Sequence, residues 1–273
     1  MKVLITGNNG FIGKVVENEL RTSGHTVVGY DLSSGFDVLN QRDLISSSQG
    51  CDAIIHLAAI ETENSLDTIR TNLVGTLNVL NTCKDLSIKR LVFMSSVDAL
   101  GIFQGEGIPK YLPIDDQYPC HPTKDYSISK KLSEELCADF ADKHMMDIIS
   151  LRAPGVWSEE TYGYIKNKRK ENPEFEWSPY WEYGAFIDVR DLATAIRYSV
   201  EKDIHGFHNL LIASSDITTS GLTTMELVKK IHPTVLWKGG IEYELDLYRS
   251  LVNCSEARTI LGWEPKYKWK DFS

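Results

Sequence analysis

The chain has 273 residues, 42% hydrophobic and 25% charged, an ordinary globular composition with room for one α/β domain and a small second lobe. Its formal net charge of −9 argues against nucleic acid or an anionic membrane as the main partner, since both need clustered Lys and Arg. No apolar run approaches the roughly 20 residues of a membrane helix. Met1–Lys2 leads straight into an apolar strand with no signal peptide, and the five cysteines show no metal-ligand spacing, so the expectation is a cytoplasmic protein with reduced thiols and no metal site.

Up to about residue 155, short β-branched runs alternate with longer helical patterns, the rhythm of parallel βαβ units. Strands are predicted at Lys2–Thr6, Thr26–Tyr30, Ala53–Leu57, Arg90–Met94 and Asp147–Leu151. They are continuous apolar runs, as suits strands covered on both faces. Helices are predicted at about 11–22, 41–48, 65–86 and 124–143; in the third, Leu66, Ile69, Leu73, Leu77 and Leu80 recur at helical spacing. Further on, Lys166–Lys170 is a basic run that reads as a solvated helix face or a contact for an anionic substrate. The aromatic stretch 175–183 suits sugar rings and hydrophobic packing equally. A strand-to-helix unit at about 185–201, a strand at His208–Ile212 and a helix near 224–231 precede a tail containing Leu261–Gly–Trp263.

Thr6–Gly7–Asn8–Asn9–Gly10–Phe11–Ile12–Gly13 joins the first strand to the first helix with the spacing G-x-x-G-x-x-G. Gly7 allows a tight turn, Gly10 a close approach to a pyrophosphate, and Gly13 close packing of helix on sheet. The helix N-terminus offers free N–H groups to the phosphates. Asp31 ends the second strand, where a carboxylate accepts hydrogen bonds from ribose hydroxyls and repels a 2′-phosphate. No Lys or Arg directly follows it, which favours NAD over NADP.

Tyr126 and Lys130 lie four residues apart at the start of a helix and so share a face. A phenol of pKa about 10 is a poor base at neutral pH, and bringing it to about 7 takes roughly 4 kcal/mol of preferential stabilisation of the phenolate. A neighbouring ammonium in a partly dry cleft is the right kind of charge to supply it.

The glycine turn, Asp31, His56–Leu57–Ala58–Ala59, Asn72–x–x–Gly75–Thr76, Ser95–Ser96, Tyr126–x–x–x–Lys130 and Leu151–Arg152 form an ordered set. The set resembles an extended short-chain dehydrogenase/reductase of the NAD-dependent epimerase/dehydratase family. Phe186–Ala193 and Leu261–Trp263 extend the likeness over nearly the whole chain. The resemblance implies a Rossmann-type doubly wound parallel sheet with a small C-terminal substrate-binding lobe. Residues 1–155, rejoined by 185–212, would bind NAD, with 156–184 and 213–273 as the lobe. It implies that Ser96, Tyr126 and Lys130 are catalytic: Ser96 hydrogen-bonds the reacting oxygen, Tyr126 takes the hydroxyl proton, and Lys130 holds the nicotinamide ribose. It places Asp37 and Val38 beside the adenine and Ala58 and Ala59 under the phosphates. Asn9, Phe11, Ile12, Leu57, Pro154 and Val156 are further cofactor contacts. Asn72 either fixes the cofactor or packs a helix, and His56 reads as structural. Val97, Arg152 and Trp157 join Ser96 at the substrate, although Arg152 could equally make an internal ion pair. A homodimer through helices 65–86 and 124–143 is implied by the resemblance alone.

Departures narrow the chemistry. The family's 4,6-dehydratases resemble one another in carrying Thr-Asp-Glu where this chain has Ser96–Val97–Asp98, and Val97 cannot protonate a leaving hydroxyl. Many epimerases carry V-Y-G where this chain has Ala99–Leu100–Gly101, and an Asn in place of Gly155. The expected function is NAD-dependent hydride transfer at a secondary hydroxyl of a sugar or nucleotide sugar, as in nucleotide-sugar epimerases. The alternatives are a dehydrogenase of a free sugar, polyol or sugar acid, similar to uronate dehydrogenases, and a non-catalytic NAD-sensing regulator.

Overall fold

Six parallel strands form the central sheet of the computed structural model, which describes residues 1–176 and 183–272. The first half runs β1 (Lys2–Thr6), α1 (Phe11–Thr22), β2 (Thr26–Tyr30), α2 (Gln41–Ser47), β3 (Ala53–His56), α3 (Ser65–Ile69), α4 (Gly75–Asp85) and β4 (Arg90–Ser96). Then come β5 (Tyr111–Leu112), α5 (Asp125–His144), β6 (Asp147–Ala153), β7 (Gly155–Trp157), α6 (Glu159–Glu171), β8 (Phe186–Asp188), α7 (Val189–Glu201) and β9 (Phe207–Leu211). The remainder is α8 (Thr224–Ile231), β10 (Leu236–Trp237), α9 (Glu242–Leu245) and α10 (Ser255–Leu261). Strand order is β2-β1-β3-β4-β6-β9.

The apolar runs become strands because both faces are covered, and their alternation divides one sheet between two cores. Val3, Ile5, Ala53, Ile55, Val92 and Met94 face Val16 and Leu20 of α1 and Leu192 and Ile196 of α7. The intervening Leu4, Ile54, Leu91 and Phe93 face Leu44 of α2, Val79 and Leu80 of α4, and Cys137 of α5. The first core continues into the C-terminal segment through Leu227, Val228, Leu251, Leu261 and Trp263. Trp263 is fully buried, and its indole N–H donates to the carbonyl of Asp191 at 3.0 Å.

Several elements differ from the sequence expectation. β4 and β6 run two residues further, because Ser95 and Ser96 stay in register with Arg152 and Ala153. The strand at 186–188 pairs with β7 outside the main sheet, while the helix that follows it covers the α1 face and β9 returns to the sheet edge. The helical stretch over 65–86 carries a π turn at Arg70–Val74, which changes the phase of its buried face. Leu66 is consequently 72% exposed, and the buried row is Thr68, Asn72, Thr76, Val79, Leu80 and Cys83.

Candidate active site

The glycine turn is built for close backbone approach. Gly7 has φ +76°, and a Cβ on it would lie 2.9 Å from the backbone N of Ala58. A Cβ on Gly13 would lie 2.2 Å from the Gly7 carbonyl, so only glycine lets α1 start against the turn. Leu57 and Ala58 pass beside it, their N–H groups donating to the Thr6 carbonyl and hydroxyl. Such a bare cradle at a helix N-terminus fits a pyrophosphate. The Asp31 carboxylate accepts from the N–H of Asn9 at 3.1 Å and from the N–H and hydroxyl of Ser33, tying the turn to the end of β2. Partial burial pulls its pKa upward, but these hydrogen bonds outweigh it and hold the group below its ordinary value. Asn9 also donates to Ser33 and Ser34.

Val38 is buried against Gly75, whose absent Cβ would sit 2.9 Å from it, and the Asp37 carboxylate accepts from the N–H of Leu39. Asn72 clamps the loop after β3: it accepts from the N–H of Ile60 and donates to the Ile60 carbonyl and to Ser129 of α5. Ala59 lies in that loop, and Phe11 is 50% exposed at the start of α1. His56 is buried between the hydroxyls of Thr6 and Thr76. Burial, helped by the nearby Lys130 charge, pushes its pKa down to about 3, so it is a neutral, structural imidazole.

At the carboxyl edge of β4 and β6, Ser96, Val97, Asp98 and Tyr126 line a cleft of about 330 Å³ with Ile12 of the glycine turn and Glu61. Pro154, Gly155, Val156, Trp157 and Thr161 form its far wall. Ile12 and Ser96 thus line the same cleft, which reaches from the glycine turn to Tyr126. Lys130 is buried behind Tyr126, its ammonium 5.5 Å from the phenol ring centre and donating to the Met94 carbonyl at 2.8 Å. Burial lowers the Lys130 pKa to about 8, with the charges of Glu134 and Asp98 opposing the shift.

Arg152 points away from the cleft. It makes a two-pronged ion pair with Glu134 at 2.9 and 2.7 Å, and Ser95 donates to the same carboxylate. The internal alternative accounts for its charge. The basic run lies on α6, where Lys166 reaches the Phe272 carbonyl, Lys168 pairs with Glu171 and Arg169 pairs with Glu176. Of the aromatic stretch, 177–182 lie outside the described residues; Tyr183 is buried and donates to the Ile102 carbonyl.

Two acids escaped the sequence reading of roles. Glu134 continues the row Tyr126, Lys130 at the next i+4 step, a spacing that signals its place behind the site. Asp98 was legible only as two residues past Ser96.

Residues 3–212 match the NAD-dependent epimerase/dehydratase family. The chain belongs to this family. It is 25% identical to a UDP-glucose 4-epimerase of Lactobacillus helveticus, over 98% of this chain and 93% of that protein. It is 24% identical to a dTDP-6-deoxy-L-talose 4-dehydrogenase (NAD(+)) of Aggregatibacter actinomycetemcomitans, over 77% and 83% respectively. The fold matches that of UDP-glucose 4-epimerase from Thermotoga maritima, solved with UDP-glucose, at TM-score 0.73 and 22% identity, covering 99% of this chain and 96% of that one. No helix among the described residues is long and apolar enough to cross a membrane.

Proposed function

We propose that this family member catalyses NAD-dependent hydride transfer at a secondary hydroxyl of a nucleotide-linked sugar, in the manner of an epimerase. The observation that carries the reading is the single cleft lined by Ser96 and Tyr126, with Lys130 buried behind the phenol. The backbone of Gly7, Gly10 and Gly13 would hold the pyrophosphate of NAD and Asp31 its ribose, with Asn9, Phe11, Leu57, Ala58 and Ala59 around the turn. When bound, NAD supplies the hydride acceptor and donor. Tyr126 takes the hydroxyl proton during oxidation and returns it during reduction. Lys130 favours the phenolate form electrostatically, and its buried position keeps that field unscreened by water. Ser96 contacts the reacting oxygen, while Pro154, Val156 and Trp157 wall off the ring. Residues 156–184 and 213–273 act as the lobe that receives the remainder of the substrate.

A net dehydrogenase of a nucleotide sugar uses the same residues and is the second reading, favoured by the likeness to the talose dehydrogenase. A free sugar acid is a poorer fit, because the charged residues lining the cleft are Glu61 and Asp98. We further propose a homodimer through α3, the π turn, α4 and α5, which expose Leu66, Val74 and Leu132; size-exclusion chromatography with light scattering tests it. Denaturing extraction of purified protein, combined with assays on UDP- and dTDP-hexoses, tests the activity. Retained NAD with interconversion and no net NADH supports an epimerase. Accumulating NADH supports the dehydrogenase. NAD binding without hydride transfer from any sugar nucleotide overturns the proposal.

A further inference from the structure

We propose that Asp98 is a positioning residue that sets the direction of the Ser96 hydroxyl: charged, it holds the Ser96 proton to itself; protonated, it frees that proton for the reacting oxygen. The proposal rests on the reading of Ser96 as the contact to that oxygen.

The argument is a count of protons and lone pairs. A serine hydroxyl has one hydrogen and two lone pairs, and an ionised carboxylate can only accept. Ser96 Oγ lies 3.0 Å from Asp98 Oδ2, and the Asp98 N–H donates to the same Oγ at 3.1 Å. With Asp98 charged, the one hydroxyl hydrogen is committed to Oδ2 and a single lone pair remains. Ser96 can then only accept. An oxygen acquiring negative charge or becoming a carbonyl needs donors, and Ser96 is then not one of them. With Asp98 protonated, its O–H donates to Ser96 Oγ. Both serine lone pairs are then filled, from the Asp98 N–H and the carboxyl, and the serine hydrogen is released toward the cleft. No proton leaves Asp98 during turnover. The proton that sets the switch comes from solvent.

The setting of Asp98 makes both states accessible. It is 3% exposed and lines the cleft, and its Oδ1 is buried without a hydrogen-bond partner, so a proton there would lack an acceptor, whereas on Oδ2 it meets Ser96 Oγ. Gln104 donates to Oδ2 at 2.9 Å. Glu61 from the loop after β3 and Glu106 from the loop after β4 face it and favour the neutral acid. Lys130 from α5 opposes them. Burial first, then these acids, bring its titration up to about 6, near the working range of a neutral-pH enzyme.

Two measurements test the switch. The first needs no turnover: ¹³C NMR of side-chain-labelled Asp in wild type and Ser96→Ala follows the Asp98 carboxyl. Losing the serine donor should raise its midpoint; an unmoved midpoint overturns the proposal. The second uses UDP-glucose with NAD as the hydride-transfer probe and reads the ratio of Asp98→Asn to wild-type kcat/KM. Dividing by wild type removes the pH dependence the two share, and the Ser96→Ala background exposes any slope that reaches Tyr126 through Lys130 instead. The ratio should rise about tenfold per pH unit above the Asp98 midpoint and be flat in the Ser96→Ala background. A flat ratio in the presence of Ser96 overturns the proposal, as does a sloping ratio in its absence. If the midpoint moves but wild type takes hydride from no sugar nucleotide, the hydride-transfer reading itself fails, and with it the purpose assigned to the switch.

Discussion

Glu134→Gln should cost this protein about 3–5 kcal/mol of stability, although Glu134 lies behind the cleft and not on it. The side chains of Arg152 and Glu134 are only 5% and 2% exposed. The carboxylate takes two hydrogen bonds from the guanidinium, at 2.9 and 2.7 Å, and one from Ser95 at 2.5 Å. Neutralising it strips a buried cation of its hydrogen-bonded counter-charge, and breaking such a pair costs about 3–5 kcal/mol. The amide keeps the volume, so packing contributes little to that figure. The pair ties α5, which carries Tyr126 and Lys130, to β6 and, through Ser95, to β4, which carries Ser96. Activity should therefore fall with stability. Removing the Glu134 charge also removes one of the two carboxylates that oppose the depression of the Lys130 pKa, so less Lys130 is charged at neutral pH. Urea unfolding followed by tryptophan fluorescence measures the loss, and Glu134→Leu combined with Arg152→Met should recover most of what Glu134→Leu alone loses. A loss below about 1 kcal/mol for Glu134→Gln, or no recovery in the double variant, refutes the reasoning.

Acid stability follows from His56. Its folded pKa, about 3, lies below the ordinary 6.5, so the unfolded chain binds the extra proton between those values and stability falls as pH drops through that window. The full effect is about 5 kcal/mol; unfolding midpoints from pH 7 to 4 should show the slope, and His56→Asn should flatten it. Gly13→Ala drives a Cβ to 2.2 Å from the Gly7 carbonyl, and the turn must open. Overpacking of that kind costs about 1–3 kcal/mol, which isothermal titration should register as weakened NAD binding, with Gly10→Ala milder because its Cβ would meet the same oxygen at 3.2 Å. Asp31→Ala should weaken NAD by roughly 1.5–3 kcal/mol, the worth of hydrogen bonds to a charged group, and NADP by less. Equal losses for the two cofactors would remove the basis for the NAD preference.

The sheet was legible because its strands are apolar on both faces, and that pattern depends on local sequence alone. The π turn at Arg70–Val74 was not, since one residue of phase shift leaves composition unchanged while moving Leu66 out of the core. The glycine turn, Ser96, Tyr126 and Lys130 could be picked out as candidates because the chemistry proposed for them demands particular residue types at fixed spacings. The role of Arg152 depended on its distance to Glu134, 18 residues away across β6 and α5. Asp98 was hidden for a different reason. Beside Val97 it reads as half of a missing acid pair, and only its burial and its bond to Ser96 give it a function of its own.

The central claim is tested most directly by Tyr126→Phe, with single-turnover absorbance of reduced nicotinamide measured beside NAD binding by titration. The phenyl ring keeps the cleft wall and removes only the group that exchanges the proton. Positioned proton transfer is worth about 100- to 10,000-fold in rate, so hydride transfer should fall by that order while NAD affinity stays within about threefold of wild type. Undiminished hydride transfer in Tyr126→Phe would contradict the account.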